Sequence, residues 1–106
     1  MSWKLVYKDG RAFNLETGST DVGRDPSNTV VLDDDSVSRR HARLHVEDGT
    51  VRIEDPGSTN GTYVDGWRIE SHVLTGGEEV RFGDNIVVRV LAPETSAAVE
   101  NPIGSL

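Results

Sequence analysis

The chain has 106 residues, a formal net charge of −7 and no cysteine, which fits one domain without disulfides or thiolate zinc sites. No apolar run approaches the roughly 20 residues of a membrane helix and the start lacks the apolar core of a signal peptide, so we expect a cytoplasmic protein without membrane partners. The negative charge disfavours general binding to nucleic acid, because phosphates repel such a surface.

Alternation of apolar and polar residues predicts short, half-buried strands along most of the chain. The runs are residues 3–8, 19–22, 42–47, 51–54 and 86–91. The last run is more continuously apolar, so we expect it to be central in a sheet or buried on both faces. Turn pairs such as Asn60-Gly61 separate the runs about every ten residues. The pattern, which has no convincing helical period, predicts an all-β antiparallel sandwich or barrel.

The C-terminal residues 93–106 are small, polar and unpatterned. Such composition is typical of a mobile segment, so we predict a domain over 1–92 and a flexible tail or linker over 93–106. The alternative is a terminal piece that docks on the domain through Val99 or Ile103.

Gly23-Arg24 follows the predicted strand at 19–22. Read alone, Arg24 is an ordinary surface residue of a strand. Its planar guanidinium can also donate two charge-assisted hydrogen bonds to a phosphate. A glycine directly before it would allow another backbone segment to approach closely.

The segment from Ser38 to His41 precedes the strand at 42–47 and allows three interpretations. It can be a plain loop end with a structural histidine. It can be an anion site in which the Ser38 hydroxyl, exposed backbone N–H groups and Arg39 act together. A nucleophilic Ser38–His41 pair is the least favoured, because no local acid orients the histidine and no G-x-S-x-G motif is present.

Gly57-Ser58-Thr59-Asn60-Gly61-Thr62 lies between two strand runs. Asn-Gly is a common hairpin turn, since both residues tolerate positive φ. The same rigid turn could also hold the Asn60 amide outward, where it can donate to and accept from the main chain of a ligand.

Metal sites are disfavoured by the spacing of the candidate ligands. His41 and His45 lie on a predicted strand, where positions four apart are about 13 Å from each other, too far to share a zinc ion. The Asp33–Asp35 run is not followed by the alternating oxygen ligands of a calcium loop. We therefore expect neither a metal nor another cofactor.

The order and spacing of these motifs resemble the signature of the forkhead-associated (FHA) domain family. The resemblance rests on Gly23-Arg24, then Ser38-x-x-His41, then Thr59-Asn60-Gly61 followed by Thr62, with similar flanks at 24–32, 55–64 and 74–84. It covers roughly residues 3–92. The resemblance implies a β-sandwich of about eleven strands with its binding loops at one end, and a protein interaction module that recognises phosphothreonine and is not an enzyme.

The resemblance also implies roles for individual residues. Arg24 and Ser38 would hold the phosphate, and the neighbouring Arg39 would add a contact. Thr59 would lie against the phosphothreonine, and Asn60 would bind the main chain of the bound segment. Gly23, His41 and Gly61 would be structural supports of the binding loops, His41 through hydrogen bonds.

The expected partner is a phosphothreonine-containing protein, such as a Ser/Thr kinase or its substrate. Its sequence preference would be set by loops that offer Asp34, Asp35, Ser36 and Val37 on one side and residues 65–68 on the other. The alternative function is phosphate-independent interaction or dimerisation on the same fold, suggested by apolar residues such as Val37 and Trp67 that the pattern leaves exposed.

Overall fold

The computed structural model describes residues 3–47 and 49–93. It contains eleven strands in chain order and no helix in these residues. The strands are β1 (Trp3–Tyr7), β2 (Ala12–Leu15), β3 (Gly18–Gly23), β4 (Val30–Val31), β5 (Ala42–Glu47), β6 (Thr50–Glu54), β7 (Thr62–Val64), β8 (Trp67–Ile69), β9 (Ser71–Leu74), β10 (Glu79–Phe82) and β11 (Ile86–Leu91). The prediction of an all-β fold is confirmed, and so is the sandwich rather than the barrel.

The strands form two sheets that pack face to face. One sheet has six strands in the order β2-β1-β11-β10-β7-β8, and the other has five in the order β4-β3-β5-β6-β9. Neighbouring strands are antiparallel except β3 and β4, which pair in parallel through Val22↔Val30 and Gly23↔Val31. The short parallel pair departs from a purely antiparallel sheet because the chain leaves β3 and returns alongside it through residues 24–29.

The core lies between the sheets and is filled by the inward side of the period-two pattern. Leu5, Leu44, Ile53 and Phe82 are each almost completely buried. Burial of one such side chain contributes about 1.5–3 kcal/mol. This core fixes the register of the strands, since a slip of one residue would turn the apolar set outward.

Strand β11 is central, as its apolar sequence predicted, but only one of its faces is buried. It pairs with β1 on one side and with β10 on the other. Val88 and Val90 face the core, whereas Arg89 and Leu91 are exposed. Of the two predicted arrangements, the central position is therefore the one that the structure shows.

The connections at the two ends of the sandwich differ. One end, which we call the loop end, carries residues 24–29, 32–41, 55–61 and 83–85. The opposite end, the turn end, carries the short connections 16–17, 65–66 and 75–78. No helix long and apolar enough to cross a membrane occurs in the described residues. The predicted tail lies outside the described residues, apart from Pro93.

Candidate functional site

Gly23 and Arg24 hold the first two loops of the loop end together. The Arg24 amide donates to the Ser38 carbonyl at 3.0 Å, and the Asp25 amide donates to the Arg39 carbonyl at 3.2 Å. A Cβ atom at position 23 would overlap that Arg39 carbonyl oxygen. The backbone segments therefore lie as close as the sequence predicted for a glycine here, and no larger residue fits without moving one of them.

The Arg24 side chain is fixed by one of its three nitrogens. Its Nε donates to the Val37 carbonyl at 3.0 Å, one residue before Ser38. The two terminal amino groups form no hydrogen bond or ion pair with the described residues. The guanidinium is thus oriented beside Ser38 with its outer donors free for an anion.

Asn28 ties the same two loops from below and was not singled out by the sequence. Its Nδ2 donates to the carbonyls of Asp25 and Arg39 at 2.8 and 2.7 Å. The residue is only 6% exposed. Its partners lie 3 and 11 positions away, so no local pattern could reveal this role.

His41 bridges the Ser38 loop to the Asn60-Gly61 turn from a fully buried position. The Ser38 amide donates to Nδ1 at 3.0 Å, and Nε2 lies 2.9 Å from the Gly61 carbonyl. Nδ1 is therefore the acceptor, and Nε2 carries the ring hydrogen and donates it. Because the ring bonds the amide of Ser38 and not its hydroxyl, His41 does not activate that hydroxyl as a nucleophile.

The Ser38 hydroxyl joins the second and third loops. Its oxygen accepts a hydrogen bond from the Thr59 amide at 3.0 Å. The hydroxyl hydrogen remains available for donation to a ligand. The Thr59 side chain is exposed next to it.

Asn60 is partly used by the fold. Its Nδ2 donates to the Ser36 carbonyl at 2.9 Å, and the residue is half-buried. The sequence suggested that the amide points freely outward, and this is only partly right. The Oδ1 atom and the second Nδ2 hydrogen have no partner in the described part of the chain, so Asn60 can still accept from and donate to a main chain.

Ser36 links these loops to the β10–β11 connection. Its hydroxyl donates to Asp34 at 2.5 Å and accepts from the Asp84 amide at 2.9 Å. The hydrogen bonds from the Ser36 side chain and amide hold the pKa of Asp34 below its usual range. Val37, which follows, is buried in the core at 1% exposure. Val37 is therefore neither a contact for a partner nor an exposed apolar residue, and that expectation is wrong.

A buried carboxylate stabilises the Thr59-Asn60-Gly61 turn from inside. Asp55 accepts hydrogen bonds from the Ser58 hydroxyl at 2.5 Å and from the Thr62 hydroxyl at 2.8 Å. It also accepts from the amides of Ser58 and Gly57 at 2.7 and 2.9 Å. Burial alone would raise the pKa of Asp55, but these hydrogen bonds outweigh it and lower the pKa. The turn is preorganised by a charged group that never needs to touch a ligand.

Two further arginines lie at the loop end, next to the loop that carries Arg24. Arg39 and Arg40 are exposed, and neither forms an ion pair with the described residues. The pKa of Asp25 is lowered first by hydrogen bonds from Ser27 and then by the charges of Arg40 and Arg39. This places the two arginines beside the Arg24 loop.

The structure brings together the predicted binding residues Arg24, Ser38, Arg39, Thr59 and Asn60, with Gly23, His41 and Gly61 beneath them. It does not bring the Asp65–Gly66 turn to them. That turn bonds Glu79 at the turn end, through the Asp65 amide to the Glu79 carbonyl at 2.8 Å. In the described residues, no group of three or more His, Asp or Glu side chains is arranged to hold a metal ion.

A family model described as "FHA domain" matches residues 20–83, more than half of the chain. The chain is 39% identical over 92 residues to the glycogen accumulation regulator GarA of Mycolicibacterium smegmatis. This match covers 87% of this chain and 58% of that protein. It is 42% identical over 84 residues to the oxoglutarate dehydrogenase inhibitor of Corynebacterium diphtheriae. That match covers 79% of this chain and 59% of the relative. The chain thus spans little more than half the length of these curated relatives.

Among solved structures, one from work on phosphothreonine-dependent FHA domain interactions superposes with a TM-score of 0.82 at 30% identity. The match covers 88% of this chain and 98% of that one. The similarity therefore extends over nearly the whole of that domain.

Proposed function

The chain belongs to the FHA domain family, and we propose that it is a phosphothreonine-dependent protein interaction module whose ligand phosphate is held by Arg24 and Ser38. The observation that carries the proposal is the free outer edge of the Arg24 guanidinium, whose Nε is bonded to the carbonyl of Val37, the residue before Ser38. A phosphothreonine carries about −1.5 to −2 charges and three strong acceptor oxygens, which require such donors.

The roles of the other residues follow from the hydrogen-bond donors and acceptors that the fold leaves unused. Ser38 has a hydroxyl hydrogen to donate, since its oxygen already accepts from the Thr59 amide. Asn60 has its Oδ1 for a main-chain N–H of the bound segment. Arg39 adds charge at the rim, and Thr59 flanks the phosphate. His41 supports the loops and takes no part in chemistry, which fits a non-catalytic module.

We expect micromolar affinity. Charged hydrogen bonds contribute roughly 1.5–3 kcal/mol each, and three to five of them are offset by the cost of ordering a flexible peptide. The partner would be a protein phosphorylated on threonine, such as a Ser/Thr kinase or its substrate, in the cytoplasm. Since relatives are named as a regulator of glycogen accumulation and an inhibitor of oxoglutarate dehydrogenase, a metabolic enzyme is a second class of partner to screen.

The experiment is a titration of a phosphothreonine peptide library and its unphosphorylated twin against the whole chain. We expect binding of the phosphorylated members alone, and a residue preference that identifies the partner motif. Equal binding of both libraries, or unchanged binding by Arg24→Ala, would contradict the proposal.

The alternative function, phosphate-independent self-association, keeps one specific observation in its favour. Trp67 is 78% exposed and lies on β8, an edge strand of the six-stranded sheet. An exposed edge strand with a large aromatic side chain is a typical contact for another chain. Light scattering over a concentration series, with Trp67→Ser as the control, decides between the two. A mass that rises with concentration and falls back in the variant would favour self-association.

A further inference from the structure

A diagonal row of cations crosses the outer face of the six-stranded sheet. It consists of Lys4, Arg89, Arg81 and Arg68, on strands β1, β11, β10 and β8, and we call it the basic band. Lys4 pairs with Leu91, and Arg81 pairs with Val87. Leu91 and Val87 lie on the same face of β11 as Arg89, so these cations point outward on one face. The strands from β1 to β8 are four spacings apart, about 19 Å at 4.8 Å per strand.

Two of the four cations, Arg89 and Arg81, are held in place by neutral groups. Arg89 Nη1 donates to the Gly77 carbonyl at 2.6 Å. Arg81 Nη1 donates to the Gly83 carbonyl at 3.2 Å, and its guanidinium lies 4.0 Å from the centre of the Tyr63 ring. These contacts orient the guanidinium groups without neutralising them.

Within the described residues, no carboxylate forms an ion pair with a cation of the basic band. Glu79 lies directly opposite Arg89 in the register. The two form no ion pair, and none of the four cations pairs with a carboxylate in residues 3–47 and 49–93. Among the strand residues of this face, four are therefore cationic and only Glu79 is anionic, with Asp65 beside Glu79 just after the end of β7.

The outer face of the five-stranded sheet is the natural comparison, because there the charges neutralise one another. Arg43 pairs with Asp21 at 2.8 Å. Glu54 pairs with His45 at 3.0 Å and with Arg52 at 3.8 Å. Uncompensated charge is thus a property of one face and not of the surface in general.

Apolar side chains lie between the cations. Val6 and Val87 are half-buried and Leu91 is 40% exposed. A nucleic acid backbone would have little use for them, whereas a protein segment with acidic and apolar residues can contact both kinds of side chain. The overall negative charge of the chain also favours a short acidic segment over a long polyanion.

The band ends beside the proposed phosphothreonine site. A Cβ atom at Gly61 would lie 2.8 Å from Arg68 Nε, and Gly61 directly follows Asn60. We propose that the basic band docks an acidic, extended stretch of the same partner that carries the phosphothreonine. The distance across the strands alone, about 19 Å, accommodates roughly six extended residues at about 3.3 Å each, so a segment on the diagonal has at least that length. This inference rests on the proposed function, whose site supplies the first point of attachment.

The test uses four peptides on the full chain, measured by calorimetry at about 50 mM salt. They contain phosphothreonine or threonine, each with or without a six-residue tract of alternating Glu and Leu, placed in separate series before and after the threonine. We expect the tract on one side to strengthen binding of the phosphorylated peptide about tenfold, because exposed ion pairs are individually weak but act here at high effective concentration. The gain should disappear at about 0.5 M salt.

Two double variants show which face of the protein causes the gain in affinity from the acidic tract. K4Q/R89Q removes two charges from the basic band, and R43Q/R52Q removes the same two charges from the opposite face. Lys4 and Arg89 are exposed, so the first variant should fold normally. We expect the gain from the tract to be lost in K4Q/R89Q and kept in R43Q/R52Q, while the phosphothreonine peptide without the tract binds both variants as it binds the unmodified chain.

Several outcomes overturn the inference and leave the proposed function intact. One is a phosphothreonine peptide that binds with no benefit from the tract on either side. Another is a benefit lost equally in both double variants, which would reflect net charge alone. A twelve-nucleotide oligothymidine that displaces the tract at equal concentration would assign the band to nucleic acid instead. If the unmodified chain binds no phosphothreonine peptide, the proposed function itself is refuted.

Discussion

The loop end and the turn end of this sandwich use hydrogen bonds in different ways. At the turn end, bonds lie within one turn, as where Glu78 accepts from the amides of Thr75 and Gly76 at 2.8 Å, or continue the pairing of adjacent strands, as where the Asp65 amide donates to the Glu79 carbonyl at 2.8 Å. At the loop end, bonds join segments far apart in the chain: Arg24 to Val37, His41 to Gly61 and Asn60 to Ser36. Bonds of the first kind close turns between paired strands, whereas those of the second kind fix several loops relative to one another.

The difference indicates where precise geometry is needed. Long loops that had no ligand to position could have been shorter, as those of the turn end are. Here they are retained and braced by the buried polar side chains of Asn28, His41 and Asp55. The bracing leaves the outer donors of Arg24 and Ser38 free, which is the condition for binding an anion in a fixed geometry.

The largest effect is expected from removing the free donors of the loop end. Arg24→Ala should weaken binding of a phosphothreonine peptide by about 100-fold or more, since roughly two charged hydrogen bonds of about 1.5–3 kcal/mol each are lost. Arg24→Lys should recover only part of this, because an ammonium cannot match the planar fork. Calorimetric titration measures both. Arg52→Ala, on the outer face of β6, is the control that should bind normally.

Gly23→Ala tests whether the close approach of the two loops is required. The added Cβ would overlap the Arg39 carbonyl, so we expect a loss of about 1–3 kcal/mol in the free energy of unfolding and weaker peptide binding. Gly66→Ala is its counterpart at the turn end. Gly66 has a φ of 90° and nothing within 4 Å of the Cβ position, so only backbone strain of about 1 kcal/mol is expected, with binding unchanged. Equal effects of the two variants on binding would break the distinction between the ends.

Asp55→Asn tests the internal bracing through its pH dependence. The folded-state pKa of Asp55 is lowered, so its hydrogen bonds stabilise the fold above the ordinary carboxyl pKa of about 3.9 and lose this effect as the pH falls through the lowered value. The variant should be about 2–3 kcal/mol less stable at pH 7, and the difference should shrink below pH 4. Urea denaturation at several pH values measures it. Ser58→Ala should also lower the free energy of unfolding in a pH-dependent way, but by less. A loss of stability that does not depend on pH would count against this account of the turn.

The smallest effect is expected on the outer face of the five-stranded sheet. Arg43→Gln breaks the exposed pair with Asp21, which should change the free energy of unfolding by less than about 1 kcal/mol and leave peptide binding unchanged. Thermal denaturation at low and high salt measures the change. A larger loss would mean that the charge pairs of this face matter more than exposed pairs usually do.

Much of the fold followed from the sequence because it depends on neighbours in the chain. Period-two alternation located the principal strands, and the turn pairs separated them. The brief β4 strand was not predicted as a parallel partner of β3, because two residues carry no pattern and their pairing depends on the path of residues 24–29. The one-sided burial of β11 likewise depends on how the two sheets pack.

The site was predicted only in part, for the same reason. Arg24, Ser38 and Asn60 stood out through their order, and Gly23 through its lack of a side chain. Asn28 did not stand out, although the loops depend on it, because it bonds the Arg39 carbonyl eleven positions away. Asp55 could have been noticed, since its partners Gly57, Ser58 and Thr62 follow it closely in the chain. Val37 was misjudged because a single apolar residue in a polar loop gives no sign of facing the core.

The most direct test of the central claim is amide chemical-shift mapping of the whole chain with one phosphothreonine peptide and its unphosphorylated counterpart. We predict that the phosphorylated peptide shifts the amides of Arg24, Ser38 and Asn60 and leaves those of Gly66 and Gly77 at the turn end unchanged. The unphosphorylated peptide should shift none of them at the same concentration. Equal shifts with both peptides, or shifts centred on the turn end, would contradict the assignment of the loop end as a phosphothreonine-binding site.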